Sequence, residues 1–210
     1  SDITVFSFHP IKIITTAEGG MALTNNIKIA KKISRFRSHG ITSDKNEMKH
    51  RPENEIWNYQ QFDLGFNYRM NEIQAVLGLN QISRLDQYVN RRHQIAKRYD
   101  NELKNLPYIT PWQSPEVFSS YHLYPLLVGQ NFKNKTQRQV HDELRKNGIG
   151  VNLHYIPVHR QPYYENLGFK KNDFPLAEKF HREVLSIPMY PSLTNEKQNI
   201  VIEALKSVTQ

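Results

Sequence analysis

Val5-Phe6-Ser7-Phe8-His9-Pro10-Ile11-Lys12-Ile13-Ile14-Thr15-Thr16-Ala17-Glu18-Gly19-Gly20 reads as a short strand, a turn carrying one lysine, and a Gly-Gly return into a second strand. Alternation at period 2 puts Phe6 and Phe8 on one face of the first strand and Val5, Ser7 and His9 on the other. Pro10 ends the strand, because it has no N–H to give to a ladder. Lys12 therefore falls on a loop just past a strand end, where open α/β sheets place their ligands. Its neighbours Ile11, Ile13 and Ile14 are apolar. An ammonium in such company loses hydration, which favours the neutral amine that a Schiff-base lysine needs.

Outward from this stretch, Met21 to Thr24 is the return strand, and Asn26 is the N-cap of a helix over about Ile27 to Ser38. About Ile41 to Gln61 is irregular and rich in charge, with Trp57 and Tyr59 placed to tuck the loop back onto the body. Asn71 with Gln74 three residues on is a capping-box pattern. Apolar periodicity then runs to Leu106 with no Gly or Pro from Leu79 onward, so the spacing predicts one long helix bridging two domains. Beyond it, Tyr121 to Val128 reads as a strand that Pro125 marks as an edge or a bulge. Lys135 to Asn147 is a helix closed by Gly148, and Ile149 to Tyr155 is a second strand. Pro175 to Leu185 is a helix, Ile187 to Pro191 an extended piece, and Asn195 to Ser207 a terminal helix. The fold class is α/β, with a front part over 1–105 and a small α/β domain over 106–210.

The 210 residues include no cysteine, which removes disulfides, thiol nucleophiles and Cys-ligated metals. With 38% hydrophobic residues and a mean hydropathy of −0.67, the chain reads as a polar globular protein without a membrane span or signal peptide, and cytoplasm is the default location. A formal charge of +8 suits an anionic partner such as nucleic acid, an anionic surface or a phosphorylated small molecule. No nucleic-acid-binding signature accompanies it. His154-Tyr155-Ile156-Pro157-Val158-His159 has two histidines, but their spacing across a proline matches no helix face and no carboxylate completes a ligand set, so no metal is expected. The first residues run straight into a strand without an initiator Met, and we read the chain as the C-terminal part of a longer polypeptide.

The run Ser7-Phe8-His9-Pro10-Ile11-Lys12 followed by Glu18-Gly19-Gly20 resembles the lysine segment of the DegT/DnrJ/EryC1/StrS aminotransferases, pyridoxal-phosphate enzymes that aminate nucleotide-linked keto-sugars. Its wording is most similar to the branch that makes the 4-amino sugar precursor of pseudaminic acid. Gly65-Phe66-Asn67-Tyr68-Arg69-Met70 is similar to a second segment of that family, and His154 to His159 to a third. The resemblance implies the C-terminal part of a type I, aspartate aminotransferase-like fold: the end of a large domain, a long bridging helix and a small α/β domain. It implies pyridoxal 5'-phosphate as cofactor, held by Lys12 and Ser7, with Asn67 reaching the cofactor phosphate of the neighbouring subunit and Lys12 catalytic. It implies substrate contacts from His9, Arg69, His154 and Tyr155, and a homodimer with a shared site. A nucleotide sugar and an amino donor, L-glutamate, are the implied partners. The residues also admit plainer readings: Asn67 as a turn residue, Arg69 as a surface cation, His154 and Tyr155 as packing. The phosphate-binding turn, the acid facing the pyridine nitrogen and the ring-stacking aromatic of the family have no counterpart in these residues, so the chain alone is expected to be inactive. Two other functions fit the same wording: a sugar dehydratase or isomerase using the same lysine, and a binding domain that has lost catalysis.

Overall fold

Arg92 sits at the centre of the better-packed part of the molecule, on a helix whose other inward residues are Val89, Ile95, Ala96, Tyr99 and Leu103. That 3–4 spacing is one stripe of an α-helix, and here the stripe is wholly buried. The computed structural model describes residues 1–50, 54–129, 132 and 135–210. It divides the chain into two compact units, Ser1–Leu85 and Asp86–Gln210.

The first unit contains strands β1 (Thr4–Ser7) and β2 (Gly20–Leu23), paired antiparallel with Ser7 opposite Gly20. Helix α1 (Ile27–Arg37) follows, its first amides from Lys28 and Ile29 received by the Asn26 side chain, as expected of that cap. Two-residue strands β3 (Ile41–Thr42) and β4 (Gln60–Gln61) close the charged loop at its base. Glu47 anchors that loop on α1 through Arg35 at 2.6 Å and Lys31 at 3.2 Å. Residues 51–53 of the loop lie outside the described residues. Trp57 and Tyr59 do not tuck it in, since both are exposed. Helix α2 (Glu72–Ile82) starts on the full capping box of Asn71 and Gln74.

The continuous helix expected to follow is two helices, because the chain breaks at Ser83–Arg84 before α3 (Leu85–Leu103). Ser83 Oγ donates to the Asn80 carbonyl at 2.8 Å and the Arg84 guanidinium to Asn80 Oδ1 at 2.9 Å. Such local bonds compete with helix continuation without any Gly or Pro. Helix α3 falls with the second unit, whose core its buried stripe joins.

In that unit β5 (Tyr124–Leu127) pairs antiparallel with β6 (Val184–Ile187), and all four β6 residues are buried. Among the described residues the sheet extends only by single bridges, Ile109 to Leu127 on one side and Asn152 to Ser186 on the other. Pro125 thus lies on a strand with one full neighbour. Ile149–Tyr155, expected as a strand, is no strand: its backbone pairs with β6 through the single bridge at Asn152. Helix α4 (Gln137–Lys146) opens on a capping box of Thr136 and Gln139, and Gly148 beyond it adopts φ +76°. A short helix α5 (Pro162–Asn166), α6 (Pro175–Glu183) and α7 (Asn195–Val208) complete the chain. The core is formed by α3, α4, α7, β5 and β6, with Tyr99, Tyr124, Leu126, Leu144, Leu185 and Leu205 at its heart. Among the described residues, no apolar side chain of Ser1–Leu85 is buried.

Arg92 brings a charge into this core. Its Nη1 donates to the carbonyls of Tyr121, His122 and Met189, and burial pulls the guanidinium below its usual range. Three phenols are buried likewise. Tyr99 donates to Pro188 O at 2.9 Å, Tyr108 to Leu205 O at 3.0 Å and Tyr124 to Asp100 Oδ1 at 2.5 Å. Burial pushes all three well above the usual phenol range, with Asp100 adding to the effect at Tyr124. Above a pH of about 10 the unfolded chain loses these protons and the folded unit keeps them, so stability falls by about 4 kcal/mol per pH unit. Urea midpoints taken across pH 9 to 12 should show that slope, and Tyr99→Phe should lessen it by about 1.4 kcal/mol per unit.

Candidate active site

Between β1 and β2 the lysine turn is closed by its own backbone. Phe8 N–H donates to Gly19 O at 2.9 Å, extending the β1–β2 pairing by one residue. Lys12 N–H then returns to His9 O at 2.9 Å, a β-turn with Pro10 at the position where its fixed φ is favoured. The far limb folds back onto Phe8, whose carbonyl accepts from Thr16 N at 3.0 Å and Thr15 Oγ1 at 2.9 Å. The Gly-Gly return is required for room, since a Cβ at Gly20 would stand 2.8 Å from the Phe6 carbonyl oxygen.

Helix α2 clamps this limb. Gln81 Oε1 accepts from Thr15 N at 3.0 Å and Gln74 Nε2 donates to Glu18 O at 2.9 Å. Between them Gly78 lies so close that a Cβ there would be 2.9 Å from the Thr16 methyl. Residues 74, 78 and 81 fall on one helix face. The sequence reading missed them; their one visible signal is Gly78 in the interior of a helix. Thr16, the buried side chain of the turn, donates to Glu18 O at 2.7 Å.

Lys12 itself is half-buried, and among the described residues its Nζ has no hydrogen-bond or ionic partner. The isoleucine sleeve is only partial. Ile11 is exposed, while Ile14 turns toward α2 and lines, with Phe8, Met21, Met70 and Leu79, an apolar gap of about 250 Å³. His9 Nδ1 accepts a long bond from Ile11 N at 3.5 Å, which leaves its Nε2, 4.0 Å from Glu18 Oε1, to carry the ring proton. Ser7 is exposed at the end of β1, its hydroxyl accepting from His9 N at 3.4 Å. Ser7, His9 and Lys12 thus share one turn.

Asn67 and Arg69 lie elsewhere in the same unit, on a segment suspended from the end of α1. Phe66 N and Tyr68 N donate to the carbonyls of Phe36 and Arg37 at 2.7 and 2.9 Å, satisfying acceptors that a helix end leaves open. His39 N donates to Phe66 O at 2.8 Å. The crossing depends on Gly40, at φ +71°, where a Cβ would lie 1.8 Å from the Asp63 carbonyl oxygen. Phe66 and Tyr68 stack with centroids 4.8 Å apart. The Asn67 and Arg69 side chains are exposed and, among the described residues, unpartnered.

His154 and Tyr155 belong to the second unit. Asn152 Nδ2 donates to His154 Nε2 at 3.3 Å, so the ring proton sits on Nδ1 and reaches Ser186 Oγ at 2.8 Å. Burial depresses the His154 pKa, which keeps this neutral form. Tyr155 packs edge-on against His154 at 4.7 Å and is otherwise exposed. His159 bonds to a different element, Glu178 on α6. Among the described residues no three His, Asp or Glu side chains gather as a metal site, and no helix is long and apolar enough to cross a membrane.

The family model for DegT/DnrJ/EryC1/StrS aminotransferases matches residues 1–206. The chain belongs to that family. SpsC of Bacillus subtilis, a spore coat polysaccharide biosynthesis protein, is 35% identical over all of this chain and 54% of its own length. The UDP-4-amino-4,6-dideoxy-N-acetyl-beta-L-altrosamine transaminase of Helicobacter pylori is 35% identical over 97% of this chain and 52% of its own. Among solved structures, PseC of Helicobacter pylori, an aminotransferase involved in the biosynthesis of pseudoaminic acid, superposes with a TM-score of 0.85 at 32% identity, over 100% of this chain and 53% of that one. The chain therefore has an α/β aminotransferase fold and spans about half the length of the relatives it matches.

Proposed function

We propose that this chain is the lysine-bearing half of a pyridoxal-phosphate-dependent aminotransferase. It transfers an amino group from glutamate to a 4-keto-6-deoxy nucleotide sugar, a UDP-linked N-acetyl hexulose of the kind used for pseudaminic acid. The observation that carries the reading is Lys12: a half-buried amine, unpartnered among the described residues, on a turn fixed by its own backbone and by α2.

The donor set fits the cofactor. A primary amine matches its carbonyl, the Ser7 hydroxyl matches its phosphate, and the Asn67 amide matches the phosphate of the neighbouring subunit's cofactor, neither hydroxyl nor amide being engaged by a strong bond among the described residues. When bound, the cofactor supplies the electron sink that stabilises charge on the carbon losing its proton. Lys12 Nζ holds the cofactor and, once displaced by the amino donor, takes the proton from the donor's Cα and returns it to complete the transfer. The clamp from Gln74, Gly78 and Gln81 keeps the turn, and so the amine, in place through both halves of the cycle. Arg69 offers a cation to anionic groups, and His9, His154 and Tyr155 face the sugar. The enzyme works in the cytoplasm as a homodimer with a shared site. The apolar side chains exposed on α2, Ile73, Val76 and Leu79, support burial against further protein.

Borohydride reduction of the intact, cofactor-loaded protein followed by peptide mapping tests this. A pyridoxyl group on Lys12 is the expected result, and one confined to any other lysine overturns the reading. With glutamate added first, the bound cofactor should convert to its amine form and resist reductive attachment.

A further inference from the structure

The segment from His154 to His159 is pinned at both ends to one continuous stretch of chain. At its start, His154 Nδ1 donates to Ser186 Oγ at 2.8 Å and the adjoining Asn152 backbone pairs with Ser186. At its end, His159 Nε2 lies 2.9 Å from Glu178 Oε1, with both side chains under a tenth exposed. Glu178 belongs to α6 and Ser186 to β6, and α6 passes directly into β6 at Glu183–Val184. Between the pins Tyr155, Ile156 and Val158 are exposed. The segment is an arch with one half-buried foot at His154, one buried foot at His159, and an exposed crown.

The second foot is more heavily built than packing requires. Glu178 Oε1 also accepts the Asn172 amide at 2.6 Å, and Arg182 stands 3.9 Å from Oε2. The His159 bond first, and the Asn172 amide second, hold the Glu178 carboxyl below the usual carboxylate range, so the acceptor is ionised. Phe174 covers the His159 ring at 4.9 Å. Past His159 a single 3₁₀ turn, with Arg160 N on Pro157 O at 2.8 Å and Gln161 N on Val158 O at 3.0 Å, stiffens the return. A buried carboxylate is a costly way to hold a loop if apolar packing would serve. What it adds is one geometry, because each partner satisfies a donor or acceptor that a shifted arch would leave buried and unpaired.

We propose that His159 and Glu178 are positioning residues, which set the affinity for the nucleotide sugar by holding the Tyr155-bearing crown in one conformation. The inference rests on the aminotransferase reading for its substrate; its mechanical part concerns the second unit alone. The pair touches no reacting atom, so its loss should appear in the binding of the sugar and not in the chemistry at Lys12.

The test uses the intact, cofactor-loaded protein and separates the two half-reactions. Glu178→Ala, and independently His159→Phe, should raise KM for the UDP-linked keto-sugar by about tenfold or more, with the glutamate half-reaction within about twofold of wild type. Glu178→Gln, whose amide oxygen accepts the same two donors, should restore KM. Hydrogen exchange supplies the second readout: the Arg160, Gln161 and Asn172 amides should exchange about tenfold faster in the two disrupting variants and at the wild-type rate in Glu178→Gln. Equal loss in both half-reactions, or an unmoved KM in a variant whose amides exchange fast, overturns the inference and leaves the aminotransferase reading standing. A wild-type protein that binds UDP-N-acetylglucosamine in a Glu178-dependent way but transfers no amino group sinks that reading and leaves the positioning role. A protein that does neither sinks both.

Discussion

Lys12→Ala in the intact protein should abolish amino transfer, lowering kcat by at least about 10³-fold, while the folded structure is unchanged. The contrast between the two effects is the informative part. Loss of a proton-transferring group alone costs about 10²–10⁴, and in the proposed reading the same amine also holds the cofactor. The side chain contributes nothing comparable to stability: its Nζ has no partner among the described residues, and the turn is closed by the backbones of Phe8, His9 and Thr16 together with Gln74 and Gln81. The expected change in unfolding free energy is within about 0.5 kcal/mol. Lys12→Arg preserves the charge but cannot attach to a carbonyl, and should be as inactive as the alanine variant. Following the cofactor's absorbance on addition of glutamate reads the chemical step directly. Retention of a tenth of wild-type turnover in either variant would show that Lys12 is not the catalytic amine.

The lysine turn was legible because its chemistry is local. A strand, a proline, one lysine among isoleucines and a Gly-Gly return lie within sixteen residues, and each leaves a mark that sequence patterning can read. Both capping side chains in the first unit, Asn26 and Asn71, were legible for the same reason. The clamp from α2 was not. Thr15 meets Gln81 across 66 positions of chain, and nothing in a glutamine announces which distant amide it will receive. Patterning also failed where two locally similar solutions compete. Apolar spacing runs through Ser83 as through any helix, and the break there is made by side-chain bonds to Asn80. Val184–Ile187 is a short apolar run after a helix, and a buried helical turn and a buried strand look alike over four residues. Only pairing with β5 decides it. The segment 149–155 carries the composition of a strand, yet its backbone pairs with β6 only in a single bridge at Asn152.

The packing of the two units predicts opposite outcomes for the same kind of truncation. Leu144 on α4 is fully buried in the core with Tyr99, Leu185 and Leu205, so Leu144→Ala should cost the second unit about 2–5 kcal/mol. Ile73 on α2 is 83% exposed, so in the 210-residue chain Ile73→Ala should move stability by no more than about 0.5 kcal/mol. In the intact dimer that we propose, this isoleucine is covered, and its truncation should cost above about 2 kcal/mol. Urea unfolding of both variants in both contexts separates the cases. A large penalty at Ile73 in the 210-residue chain would mean that the first unit has a core the described residues do not show. A negligible one in the intact protein would mean that α2 is a true outer surface, and a shared dimer site would lose its structural support. The exposed face of α2 and the unpartnered Lys12 have one cause on this view: the first unit presents contacts that the rest of the enzyme completes.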